Sequence, residues 1–77
     1  MEDLLLESLT EDKVTYRYYP EGGEKFGIVS LMRKTGKRIH DKPCQGERSV
    51  YAGQAWHRID EYQKKGKFPE KALVMWY

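Results

Sequence analysis

From Lys13 to Tyr19 the chain alternates. Val14, Tyr16 and Tyr18 are interleaved with Thr15, Arg17 and Tyr19, a period of two in residue types that favour strands. Pro20-Glu21-Gly22-Gly23-Glu24 breaks the pattern, since proline cannot donate to a ladder and glycine permits positive φ. A second strand is predicted over Phe26–Arg33, with Phe26, Ile28 and Met32 on one side and Val29 and Leu31 on the other. Both sides are partly apolar, which predicts an interior place in a sheet. Lys34-Thr35-Gly36-Lys37 reads as a tight turn with Gly36 left-handed, and Arg38-Ile39-His40 pairs back as a third strand.

Asp41 to Arg48, with Pro43 and Gly46, reads as a loop. Beyond it the period changes. Tyr51, Ala52, Ala55, Trp56, Ile59 and Tyr62 recur at helical spacing and form a face broad enough to pack on a sheet. Continuing that wheel backwards puts Arg48 in the middle of the apolar face, so the helix is expected to begin after it, with Ser49 as N-cap. Gly66 after Lys64 and Lys65, with Pro69 beyond, marks its end. Ala72–Tyr77 is a final apolar strand, expected to have neighbours on both sides in the same sheet. In residues 1–12, Leu4, Leu5, Leu6 and Leu9 fit either a short helix or a strand. A short helix or irregular arm is the expectation, free to fold over the sheet face opposite the main helix. The predicted fold class is α+β: a single antiparallel sheet, made of a three-stranded meander plus the C-terminal strand, packed on one amphipathic helix. The chain divides into an acidic leader, 1–12, and one β-β-β-α-β domain, 13–77.

Seventy-seven residues hold one small core and leave little room for a deep cleft. The net charge of +2 conceals an asymmetry. Glu2, Asp3, Glu7, Glu11 and Asp12 give the first twelve residues −5, and all 14 Lys and Arg against the remaining 7 acids give the rest +7. One cysteine, Cys44, excludes an intrachain disulfide and points to a reducing, cytoplasmic setting. No apolar run approaches a membrane span, so no membrane association is expected.

The sequence contains no arrangement suited to catalysis. His40, Cys44 and His57 lack a zinc spacing and are read as an ordinary strand end, loop thiol and exposed helix residue. Asp60 and Glu61 are adjacent on the helix and diverge. Gly22-Gly23 sits between acids and opens no helix, unlike a phosphate loop. We expect no enzyme, no metal, no cofactor and no small-molecule substrate. Two surfaces stand out. Arg33, Lys34, Lys37 and Arg38, with Arg17 on the first hairpin, are candidate nucleic-acid contacts, and the acidic leader could compete for them. The aromatics outnumber what one helix can cover, so Tyr16, Tyr18, Tyr19 and Trp76 are candidate anchors for a protein partner or for self-association.

Tyr16-Arg17-Tyr18-Tyr19-Pro20, Gly27-Ile28-Val29-Ser30, Lys34-Thr35-Gly36, Tyr51-Ala52 to Ala55, Phe68-Pro69-Glu70 and Trp76-Tyr77, in that order, resemble a group of short proteins of Gram-positive bacteria and their prophages. The likeness covers most of residues 13–77 and carries over no catalytic residue. It implies a mobile-element origin, and with it the binding of a host protein or nucleic acid. Inhibition of a host defence nuclease such as a CRISPR effector is one form this takes. DNA mimicry would call for an acidic protein, and the +7 body does not fit that mode.

Overall fold

The structure is a computed structural model and describes residues 1–44 and 49–75. These form strands β1 (Glu2–Leu9), β2 (Lys13–Pro20), β3 (Gly27–Met32) and β4 (Arg38–Lys42), helix α1 (Ser49–Lys65) and strand β5 (Lys71–Val74). All five strands join one antiparallel sheet in the order β4-β3-β2-β1-β5, with α1 across one face. The predicted α+β class, the β2–β4 meander and the helix after Arg48 are all present.

The leader is neither helix nor arm. It is an interior strand, paired with β2 from Glu2↔Pro20 to Leu9↔Val14 and with β5 from Glu2↔Val74 to Leu5↔Lys71. A turn signal in the sequence explains the hairpin that joins it to β2. Thr10 Oγ1 accepts from the amides of Asp12 (3.3 Å) and Lys13 (3.0 Å), which folds the chain back at Thr10–Lys13. The three consecutive leucines are then divided by the pleat, Leu4 and Leu6 toward the helix and Leu5 away from it. The final strand is also corrected. It spans Lys71–Val74 and lies at the sheet edge, with β1 its only strand neighbour among the described residues.

The core lies between sheet and helix. Leu4, Val14, Tyr16, Tyr18, Val29, Leu31 and Val74 meet Ala52, Ala55 and Ile59, all buried. Tyr51, Trp56 and Tyr62 flank this stripe half-buried, as the helical spacing predicted. Trp56 Nε1 donates to the Ser30 carbonyl (3.1 Å), and Tyr16 Oη donates to the Pro69 carbonyl. Gly27 is required here. A Cβ on it would stand 2.3 Å from the Tyr18 ring, which lies across the glycine. The helix closes with Gly66 at φ 73°, Gly66 N donating to Gln63 O and Lys67 N to Tyr62 O, a Schellman arrangement. The six-residue connection from β2 to β3 opens with a tight turn, with positive φ at both Glu21 (52°) and Gly22 (69°) and Gly23 N donating to Pro20 O. No helix among the described residues is long and apolar enough to cross a membrane.

Candidate interaction surface

Because side chains alternate across a strand, the register fixes what the helix leaves uncovered. One row runs Leu73, Asp3, Tyr19 and Phe26 across β5, β1 and β2 to the start of β3. The next runs Lys71, Leu5, Arg17, Ile28 and Lys42, and a third includes Thr15, Ser30 and Ile39. No described element lies over this face. Leu73 is 54% exposed. An open groove of about 490 Å³ runs between Leu5, Tyr19 and Leu73, bordered by Asp3, Lys71 and Gly23.

Arg17 and Lys42 flank one aromatic ring. The Arg17 guanidinium stands 4.7 Å and the Lys42 ammonium 4.3 Å from the Phe26 centroid, and Tyr19 adds a tilted ring contact at 5.4 Å. Hydrogen bonds to Tyr19 and Glu7 raise the Arg17 pKa further, and the Glu7 carboxylate pairs with it. Beside them lies a polar chain that runs out to exposed Asp41: Thr15 Oγ1 and Ser30 Oγ, both buried, are 2.8 Å apart, and Ser30 Oγ donates to Asp41 Oδ2 (2.6 Å). It satisfies hydroxyls that the packed sheet encloses, and no histidine reaches it among the contacts of the described residues.

The five basic residues predicted to contact nucleic acid do not converge. Arg17 is on the open face. Arg33 is tied down: Nε donates to Gln63 Oε1 (2.9 Å), a terminal nitrogen donates to the Thr10 carbonyl (2.8 Å), and the guanidinium stacks on Phe68 (5.1 Å). Lys34 pairs with Asp12 (3.4 Å), Lys37 is exposed at the hairpin tip, and Arg38 faces the helix side, 5.8 Å from the Trp56 ring. The leader thus neutralises two of these charges, Arg17 and Lys34, from within the sheet and its turn rather than by folding back as an arm.

The predicted aromatic anchors are also divided. Tyr16 and Tyr18 are buried beneath α1 at 0% and 2% exposure and cannot serve a partner. Burial, and then the neighbouring Tyr62, hold the Tyr16 phenol neutral well above its ordinary range. Tyr19 is half-exposed on the open face. Trp76 and Tyr77 lie outside the described residues, as does the Ser49 side chain expected to cap the helix. Cys44 is buried rather than an open loop thiol, and its amide donates to Tyr18 Oη (3.2 Å), which also bonds His40 Nε2 (2.9 Å). His57 pairs with Glu61 on the exposed side of α1 (3.3 Å). No group of three metal-ligating side chains occurs among the described residues.

Sequence reasoning missed Leu5 and Leu73 as surface residues. The signal was present as apolar runs too long for one face, Leu4-Leu5-Leu6 and Ala72-Leu73-Val74. No protein-family model, curated protein or solved structure matches the chain.

Proposed function

We propose that this chain is a non-enzymatic module that binds a protein partner through the open face of its sheet, as an accessory protein of a phage or other mobile element would bind a host protein. The observation that carries this reading is the uncovered face itself. It has an apolar groove between Leu5, Tyr19 and Leu73 and a mixed charged border, the usual composition of an interface core and rim. The dispersal of Arg33, Lys34 and Arg38 into internal contacts favours a protein over a nucleic acid. A host defence nuclease is one target of this class.

A second reading rests on Phe26 between Arg17 and Lys42. Two cations held over one ring on an open sheet suit the phosphates of a single strand.

One comparison separates the two. Proteins retained by the immobilised chain and lost with Leu73→Glu support the protein reading. Salt-sensitive binding of single-stranded RNA or DNA that is lost with Lys42→Glu but not with Leu73→Glu replaces it with the second. Retention that no open-face substitution alters sinks both.

A further inference from the structure

At the β1–β5 end of the open face, four side chains form a block. Asp3 stands opposite Leu73 and Leu5 opposite Lys71. The two leucines therefore occupy one diagonal and the opposite charges the other. Asp3, Lys71 and Leu73 are exposed, and neither Asp3 nor Lys71 is in an ion pair among the described residues. The leucine diagonal, extended across the sheet, reaches Thr15 of β2, and it separates a second opposite-charge pair, Arg17 on one side and Glu7 on the other. Each side of the line thus carries one acid and one base: Asp3 with Arg17, and Lys71 with Glu7.

Such a pattern is complementary to itself. A two-fold axis along the leucine diagonal turns one face onto an identical face and exchanges the two sides of the line. Leu5 then meets Leu5 and Leu73 meets Leu73. Asp3 meets the second copy's Lys71, and Arg17 meets its Glu7, each pair occurring twice. No arrangement of like charges arises, as an isologous contact requires. Strand rise of ~3.4 Å per residue and strand spacing of ~4.8 Å place that diagonal ~35° from the strands. The two sheets would cross at ~70°, nearer the orthogonal than the aligned class of sheet packing.

We infer that the partner of the groove end of the open face is a second copy of this chain, in a two-fold dimer centred on Leu5 and Leu73 and bordered by Asp3–Lys71 pairs. This rests on the open-face reading above and names its occupant.

The test is sedimentation equilibrium over a concentration series, on the full chain and on two charge reversals. The wild type should reach twice the monomer mass. Asp3→Lys alone and Lys71→Asp alone should each weaken association about tenfold or more, because each sets like charges together twice. An equimolar mixture of the two variants should restore a dimer, since opposite charges then meet at both borders. That recovery also shows that both variants fold. As a second measurement, carbodiimide crosslinking of mixed ¹⁴N and ¹⁵N wild-type chains should give an Asp3–Lys71 crosslink between differently labelled copies.

A wild type that stays monomeric throughout overturns the inference. So does a dimer that neither reversal weakens, or a crosslink confined to one chain. A monomer whose protein retention still depends on Leu73 removes the second copy and leaves the open-face reading standing. A dimer that survives Leu73→Glu unchanged forms elsewhere and overturns the inference, while the open-face reading stands or falls with the retention test.

Discussion

Glu2 is the residue whose environment departs furthest from what its chemistry prefers. It faces the helix side between Pro20 and Val74, is fully buried, and has neither carboxylate oxygen hydrogen-bonded among the described residues. Burial raises its pKa from 4.5 to about 8, against a smaller opposing pull from the Met1 amine. That amine is itself held by Glu21, whose pKa is lowered by hydrogen bonds from Tyr51 and from the amine. The folded pKa of Glu2 thus lies above the unfolded one, so the neutral acid belongs to the native state. Its stabilising share is complete below about pH 4.5 and is lost as the pH rises through 8, with a slope of up to about 1.4 kcal/mol per pH unit. Glu2→Leu should raise the melting temperature and flatten its fall between pH 5 and 8, as read by circular dichroism. A variant with the wild-type pH profile would show that Glu2 is not the group responsible. Nothing in the local sequence marks Glu2 as buried. It reads as the first acid of a charged leader, and only its pairing with Pro20 and Val74 places it inside.

Among the elements, the β3–β4 hairpin and the end of α1 show how one motif serves two purposes. The Arg33-Lys34-Thr35-Gly36-Lys37-Arg38 segment reads as a basic turn, and the turn is there: Gly36 has φ 76° and donates to the Met32 carbonyl (2.8 Å). The role of each cation was not legible, because identical charges differ only in what surrounds them. Arg33 joins three elements, with Gln63 of α1 also donating back to its carbonyl (3.3 Å). Arg33→Ala should therefore cost about 1–3 kcal/mol in denaturant unfolding. Lys37→Ala, at the exposed tip, should change stability by less than about 0.5 kcal/mol. Equal effects of the two would contradict the structural role given to Arg33. The helix, by contrast, was legible from periodicity alone. Ala52, Ala55 and Ile59 are the small and branched residues that let it sit close on the sheet, and Gly66 ends it where a left-handed residue is needed.

For the molecule as a whole, the decisive element is β1. It is hydrogen-bonded to strands on both sides and supplies Leu4 to the core. An acidic arm competing with a basic site could be removed without harm, and its loss would strengthen nucleic-acid binding. An interior strand cannot. Removing residues 1–12 leaves β2 and β5 without a partner along one side and opens the core at Leu4. The shortened chain, 13–77, should lose its cooperative thermal transition. A transition unchanged from that of the whole chain would refute the interior placement of β1. The same placement sets the charge pattern of the open face, because Asp3 and Glu7 come from β1 while Lys71 and Arg17 come from the strands beside it.

By itself the sequence determined the features that depend on neighbouring residues: the alternation of β2 and β3, the helical stripe of α1, and the turns at Gly36 and Gly66. These follow from periods and from backbone preferences that act over a few residues. Tertiary structure alone decided where β1 and β5 lie, that Glu2 and Cys44 are inside, that Arg33 is a brace, and which charges border Leu5 and Leu73. Each of these depends on pairing between segments far apart in the chain. Residues 2–9 had no local preference strong enough to choose between helix and strand. The unpaired sides of β2 and β5 made the choice, since a strand between them satisfies both ladders and buries Leu4 at once.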